Sequence, residues 1–174
     1  MPEINLTING IDISADPDAT ILEAARDAGI KIPTLCYHPD QQVKADCRIC
    51  VVEIAGQKNL RPACNTRVGS GMIVKTNTPR VIEARKTILE LIFARHSQDC
   101  LHCSRNGHCE LQDIAAEYDI RSYEYDTDPR NLPLDMSSPA IIRDPNKCIL
   151  CGRCIEVCNS IQTVNALGYA FRGY

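Results

Sequence analysis

The chain has 174 residues, a formal net charge of −3 and 44% hydrophobic residues, which fits a soluble protein of one large or two small domains. Without a run of Lys and Arg, and with only two Phe and six Tyr for base stacking, it is not expected to bind nucleic acid. We expect a cytoplasmic protein, because the sequence has neither a bilayer-spanning apolar run nor the basic and apolar regions of a signal peptide.

The first elements predict a β-hairpin followed by a helix. Residues 4–8 and 11–13 alternate apolar and polar side chains around Asn9-Gly10, a type I′ turn signal. A capping box of Thr20 and Glu23 then precedes an apolar helical face that ends at a glycine. Hairpin followed by helix is typical of a β-grasp.

Two further apolar segments, 51–54 and 72–76, predict strands, with a short segment at 60–63 between them. These elements complete an N-terminal domain over residues 1–78. The overall class is predicted as α+β, with a ferredoxin-like β-grasp domain first and helical and ferredoxin-type segments after it.

Two helices follow this domain. Thr78 and Pro79 suit the N-cap and first position of a long helix whose apolar residues recur at helical spacing up to Phe93. A second short helix is predicted over 110–118, before a stretch rich in Asp, Pro and Ser. Residues 79–120 are predicted to form a cluster domain with one His and three Cys ligands. Residues 121–139 are predicted to be a connector, and residues 140–174 a partial ferredoxin-type segment.

Eleven Cys and one well-placed His dominate the chemistry of the chain. A reducing cytosol disfavours structural disulfides, so clustered Cys are expected to be metal ligands, and an odd number cannot all pair. With His96 the Cys make twelve ligands, enough for three sets of four.

The first group has the spacing C-x10-C-x2-C-x13-C and comprises Cys36, Cys47, Cys50 and Cys64. A tight pair in a loop with two distant flanking thiols suits a [2Fe-2S] cluster, whose two irons must be reached by four thiolates. The spacing departs from the plant-type ferredoxin run by its longer first gap. A zinc site is the alternative reading.

The central group reads H-x3-C-x2-C-x5-C and comprises His96, Cys100, Cys103 and Cys109. Three Cys with one His are also a zinc ligand set, so this motif alone leaves zinc and a [4Fe-4S] cluster open. Three other histidines compete as ligands. We expect His102 to turn outward between two Cys, and His38 and His108 to be surface or supporting residues.

The last group, C-x2-C-x2-C-x3-C, is the bacterial ferredoxin run and comprises Cys148, Cys151, Cys154 and Cys158. Gly152 permits the tight turn between ligands. Asn159 stands where ferredoxins usually place a proline, which indicates a specialised relative.

In order and spacing, the three groups resemble the N-terminal iron–sulfur region of the [FeFe]-hydrogenase large subunit, which is related to the complex I 75-kDa subunit and to NAD-linked formate dehydrogenases. The resemblance covers essentially the whole chain. It implies a [2Fe-2S] cluster on the first group and a [4Fe-4S] cluster on the central group, with a second [4Fe-4S] cluster on Cys148, Cys151 and Cys154. Cys158 would serve a further cubane or stay free. The gap of three residues between Cys154 and Cys158 matches the hydrogenase and formate dehydrogenase patterns. The complex I pattern instead puts its next Cys far downstream.

The predicted function is an electron relay of a multi-subunit NAD(P)-linked oxidoreductase. Among the enzyme classes, an [FeFe] hydrogenase is preferred to a formate dehydrogenase or a complex I-like enzyme. No catalytic residue is assigned, since the catalytic domain of such an enzyme would lie beyond residue 174. The expected partners are flavin- and NAD(P)-binding and small iron–sulfur subunits, and ferredoxin, with no nucleic acid and no membrane insertion. Electron bifurcation stays open. From another class of protein, a zinc-stabilised binding scaffold is the alternative.

Overall fold

The computed structural model describes residues 3–97, 99–121, 125 and 132–170. It contains two compact units. The first unit comprises the N-terminal part through Val81 and the segment from Cys151 onward, and the second runs from Ile82 to Leu150. Part of the connector predicted at 121–139 lies outside the described residues, and the predicted four-part division stays a prediction.

The first unit is built on a five-stranded mixed sheet with the order β2-β1-β5-β3-β4. β1 runs parallel to β5, and the other neighbouring pairs are antiparallel. The strand bounds are β1 Ile4–Ile8, β2 Ile11–Ala15, β3 Val51–Ile54, β4 Arg61–Pro62 and β5 Ile73–Lys75. The predicted strands and the combination of sheet and helices are thereby confirmed.

The predicted hairpin is present, with Leu6 of β1 opposite Ile13 of β2. Its turn residues Asn9 and Gly10 have φ angles of 54° and 84°. Positive φ at both central positions defines the type I′ turn, whose twist matches that of the paired strands.

Helix α1, Ile21–Asp27, is fixed at both ends by the residues that the sequence singled out. The Thr20 hydroxyl accepts the Glu23 N–H, while the Glu23 carboxylate accepts the Thr20 N–H. At the other end the Gly29 and Ile30 N–H groups bond to the Arg26 and Ala25 carbonyls, a Schellman ending. The apolar face of α1 is fully buried in the core of the first unit. The chain leaves this helix into an irregular loop, residues 30–50, which reaches β3.

Helix α2 spans Pro79–Phe93 and helix α3 spans Glu110–Glu117, as predicted. The Thr78 hydroxyl caps α2 by accepting the Val81 N–H at 3.2 Å. In the second unit Arg85 of α2 is only 1% exposed, and its Nη1 donates to the Tyr118 hydroxyl at 2.6 Å. This buried bond holds the C-terminal end of α3 against α2.

The last regular elements are short. Helix α4, Arg153–Glu156, belongs to the first unit and continues into a wide turn over Val157–Ile161. Within the described ranges no helix combines the length and the apolar character needed to cross a membrane.

Candidate metal centres

The four Cys of the first group come from the 30–50 loop and from the turn after β4. Cys36 and Cys47 lie in the loop and are partly exposed. Cys50 at the end of the loop and Cys64 in the 3-10 turn Ala63–Asn65 are fully buried. The Ala63 N–H donates to the Cys50 carbonyl at 3.1 Å, which joins the two segments next to their thiols.

The loop bends through left-handed backbone on both sides of Cys47. Ala45 has φ 55° and Arg48 has φ 60°, and neither is a glycine. Such conformations cost about 1–2 kcal/mol per residue and persist where the surrounding structure enforces them, often at functional sites. These two residues change the direction of the chain on either side of Cys47.

The four thiols are arranged as two hydrogen-bonded pairs. The bond from Cys47 lowers the pKa of Cys36 to about 6, and the bond shared with Cys64 lowers the pKa of Cys50 to about 7. The same two bonds, with burial, raise the pKa of Cys47 and of Cys64 well above the ordinary value. One thiol in each pair is therefore biased toward the thiolate, the form that ligates metals.

Two pairs of thiols fit a two-iron centre, with two thiolates for each iron, better than a single ion. Among the described residues, no three Cys, His, Asp or Glu side chains are gathered tightly enough to hold one metal ion. Four thiols arranged as two pairs suit a [2Fe-2S] cluster.

The structure brings the four central residues together around one open cavity in the second unit. His96 follows the end of α2, where its N–H donates to the Phe93 carbonyl at 3.2 Å. Cys100 and Cys103 form a turn, and Cys109 is the N-cap of α3. All four residues line the cavity, a donor set that fits a [4Fe-4S] cluster.

Side chains that the sequence reasoning did not identify also line this cavity, among them Arg105, Gln112 and Lys147. Gln112 fixes the loop, because its Oε1 accepts the Gly107 N–H and its Nε2 donates to the Asn106 Oδ1. Lys147 adds a positive charge next to the centre. Its position directly before Cys148 was the one signal in the sequence that could have drawn attention to it.

The other histidines lie as expected from the sequence. His102 points outward with 83% of its side chain exposed, and its Nδ1 lies 2.7 Å from the Asp99 carboxylate. His108 is exposed, and the partly exposed His38 accepts the Asp40 N–H.

The terminal Cys run is divided between the two units. In the second unit Cys148 follows the 3-10 turn Pro145–Lys147, and its Sγ accepts the Leu150 N–H at 3.4 Å. In the first unit Gly152, with φ 72°, turns the chain into α4, which carries Cys154. Cys158 lies in the wide turn, where its Sγ accepts the Ala166 N–H at 3.2 Å. Backbone N–H bonds to sulfur are among the contacts that tune iron–sulfur centres.

Three family descriptions match successive parts of the chain. Residues 1–79 match a 2Fe-2S iron–sulfur cluster binding domain, and residues 85–123 match the NADH-ubiquinone oxidoreductase-G iron–sulfur binding region. Residues 141–158 match a 4Fe-4S binding domain.

Whole-chain comparisons agree with these matches. The chain is 43% identical to the NADP-reducing hydrogenase subunit HndD of Solidesulfovibrio fructosivorans, with all of this chain and 31% of that protein aligned. It is 39% identical to the G 2 subunit of the NADH-quinone oxidoreductase of Rhizobium meliloti (strain 1021), with 98% of this chain and 20% of that protein aligned. The chain therefore spans less than a third of either curated relative.

A solved structure extends the comparison to three dimensions. One chain of an NAD+-reducing [NiFe]-hydrogenase in the H2-reduced state superposes with a TM-score of 0.90 at 33% identity. The alignment covers 98% of this chain and 71% of that one.

The paired thiols, the cavity lined by one His and three Cys, and the ferredoxin run define an iron–sulfur electron-transfer protein that carries one [2Fe-2S] and one or two [4Fe-4S] clusters. The relatives that share these regions are a hydrogenase subunit, an NADH-quinone oxidoreductase subunit and a chain of an NAD+-reducing hydrogenase. The chain belongs to the family formed by the N-terminal iron–sulfur region of the NADH-quinone oxidoreductase G subunits and the corresponding subunits of NAD-reducing hydrogenases.

Proposed function

We propose that this chain is the electron relay of an NAD(P)-linked [FeFe] hydrogenase. The observation that carries the proposal is the convergence of His96, Cys100, Cys103 and Cys109 on one cavity, in a unit separate from the paired thiols of the [2Fe-2S] site. Similarity to an NADP-reducing hydrogenase subunit along the full length of the chain supports hydrogenase as the enzyme class. An NAD-linked formate dehydrogenase or a complex I-like enzyme is the alternative, and electron bifurcation is a further step that the same relay would permit.

The proposed ligand sets follow the three groups. In the first unit, which we propose to be a β-grasp domain, Cys36 and Cys47 hold one iron of the [2Fe-2S] cluster while Cys50 and Cys64 hold the other. His96 with Cys100, Cys103 and Cys109 holds a [4Fe-4S] cluster, and Cys148, Cys151 and Cys154 hold a second. Bound at these sites, the clusters supply one-electron redox chemistry.

The chain's own residues would hold the clusters, exclude water and set their potentials. Burial of Cys50 and Cys64 keeps water from one side of the [2Fe-2S] site. The neutral imidazole of His96 makes its cluster less negative than a four-Cys cluster, which favours the reduced form.

The proposed partners are a flavin- and NAD(P)-binding subunit, small iron–sulfur subunits of the same complex, and ferredoxin, all in the cytoplasm. Whole-chain similarity to subunits of NAD(P)-linked enzymes supports this choice.

Anaerobic purification tests the relay. We expect a brown protein with about six or about ten irons per chain, for two or three clusters of these types, and EPR signals of both cluster types after reduction with dithionite. A colourless protein with stoichiometric zinc and no signal would instead show a zinc-stabilised scaffold. Assays with hydrogen, formate and NAD(P)H on the complete complex distinguish the enzyme classes.

A further inference from the structure

One ion pair within the first unit joins the terminal Cys run to the loop that carries Cys36 and Cys47. The Lys44 ammonium lies 2.7 Å from the Glu156 carboxylate, and only 27% and 7% of these side chains are exposed. The Ser160 hydroxyl donates to the other oxygen of the same carboxylate. A buried carboxylate needs such partners, because an unpaired buried charge is strongly destabilising.

The paired residues stand immediately beside the proposed ligands of two different clusters. Lys44 precedes Cys47 by three residues, and Glu156 lies in α4 between Cys154 and Cys158. Most surface ion pairs contribute little to stability. This one is mostly buried, and it holds two cluster-binding segments in contact.

Two further contacts join the same segments. The Arg153 Nη2 donates to the Tyr37 carbonyl at 2.9 Å, so the residue before Cys154 is bonded to the residue after Cys36. The Tyr169 hydroxyl occupies the space that a Cβ on Gly152 would fill, and the Lys44 ammonium lies 5.9 Å from the centre of the Tyr169 ring. The contacts surround the ion pair and restrict how the two segments can shift.

We propose that Lys44 and Glu156 are positioning residues that fix the terminal Cys run against the [2Fe-2S] loop and so set electron exchange between the two centres. The inference rests on the proposed function. With both clusters bound, these residues would hold the two centres at a fixed separation, across which one electron could pass from the reduced [2Fe-2S] centre to the oxidised terminal centre without proton transfer or bond cleavage. Since electron transfer slows steeply with distance, loosening the ion pair would slow it.

Charge-removing and charge-swapped variants of the cluster-loaded chain test this role. The variants are Lys44→Met, Glu156→Gln and the double swap Lys44→Glu with Glu156→Lys. Arg67→Met is the matched control, because Arg67 and Asp18 form a fully exposed ion pair of the same 2.7 Å length in the same unit. The measurements are iron content, the EPR signal of the reduced [2Fe-2S] centre, and the enhancement of its spin relaxation by the reduced terminal centre.

We expect both single variants to keep the [2Fe-2S] signal and to lose the relaxation enhancement, while the swap restores it and Arg67→Met leaves it unchanged. Equal enhancement in all variants overturns the positioning role and leaves the relay intact. A wild-type chain that holds a [2Fe-2S] cluster but never a terminal one overturns the positioning role, because the second centre is missing, and leaves the relay with its two other clusters standing. If a single variant also loses its [2Fe-2S] signal, the double swap decides the outcome. Recovery of the signal and of the relaxation enhancement in the swap supports the positioning role of the ion pair, and no recovery overturns it.

Discussion

The Sγ atoms of Cys50 and Cys64 lie 3.4 Å apart in the core of the first unit, although fourteen positions separate the two residues in sequence. Neither side chain is more than 1% exposed. The backbone bond from Ala63 to Cys50 sets the spacing of the two segments, so the thiols are held together by the fold itself. A preformed pair of this kind presents two ligands to one iron.

Replacing Cys64 by Ser is therefore expected to remove the [2Fe-2S] cluster, about two irons per chain, and to leave the [4Fe-4S] iron in place. The cluster is lost because one of its irons keeps only one thiolate from the pair. Iron analysis and EPR of the reduced protein measure the loss. Asn65→Ser is the control, since Asn65 is exposed in the same turn and should retain all iron. Full retention of the [2Fe-2S] signal in the Cys64 variant would contradict the assignment.

His96→Cys is expected to keep a cubane in the central cavity and to lower its midpoint potential, because the added thiolate makes the cluster more negative. A redox titration followed by EPR measures the shift. His102→Cys is the matched control, because His102 lies between two proposed ligands but points outward. An unchanged midpoint in a His96→Cys variant that keeps its iron would show that His96 is not a ligand.

Tyr118→Phe is expected to lower the free energy of unfolding by about 1.5–3 kcal/mol, because it removes a buried hydrogen bond to the Arg85 guanidinium. Anaerobic urea unfolding of the cluster-loaded protein measures the change. In the control Thr87→Val, an exposed bond to the Glu83 carbonyl is lost, and the effect should be much smaller. Equal midpoints for the two variants would show that the buried bond contributes no more than the exposed one.

Asp135 holds together a short loop of the second unit. Its carboxylate accepts the Ser137 hydroxyl at 2.7 Å and pairs with Arg143 at 3.0 Å, and the backbones of Asp135 and Arg143 exchange two hydrogen bonds. The bonds from Ser137, then the charge of Arg143, lower the pKa of Asp135 below its ordinary value of 3.8. The stabilisation of the loop by the ionised Asp135 carboxylate is therefore complete at pH values above the ordinary pKa of 3.8. It is lost as the pH falls through the lowered pKa of Asp135.

Near neutral pH, Asp135→Asn imitates the protonated state and avoids acid damage to the clusters. We expect faster amide hydrogen exchange at Arg143 in this variant, measured by mass spectrometry or NMR. The matching change in an exposed pair, Asp119→Asn, should leave exchange at Arg143 as in the wild type. Identical protection of Arg143 in the wild type and in Asp135→Asn would show that the carboxylate does not hold the loop.

Local signals accounted for most of the secondary structure. The turn at Asn9-Gly10, the capping box of Thr20 and Glu23, and the helix start at Thr78 each depend on residues close together in sequence, so one sequence suffices to predict them. The grouping of His96 with three Cys at one cavity could also be predicted, because the four residues lie within one short segment, while their role as ligands stays a prediction.

Long-range contacts could not be predicted in this way. Arg153 and Tyr37 are bonded across a sequence separation of 116, and no periodicity or spacing in the chain connects them. The buried Arg85 looks like an ordinary charged residue of a helix until Tyr118 is placed beside it. Such contacts depend on how elements pack, which local propensity does not determine.

Cys158 is bonded through both its thiol and its carbonyl to the segment that follows the terminal run. Its Sγ accepts the Ala166 N–H, and its carbonyl accepts the N–H groups of Val164 and Asn165 at 3.0 and 3.3 Å. It lies in the wide turn after α4, where the segment at 164–166 holds both its thiol and its carbonyl.

We therefore expect Cys158→Ser to leave the iron content of the chain unchanged, at about six or about ten atoms for two or three clusters of these types. Cys154→Ser is the matched control, because the same exchange at a proposed ligand should remove about four irons wherever the wild type holds ten. Iron analysis of anaerobically reconstituted protein measures both. If Cys158→Ser itself loses about four irons, Cys158 is the fourth ligand of the terminal cluster, and the chain closes its own third cluster.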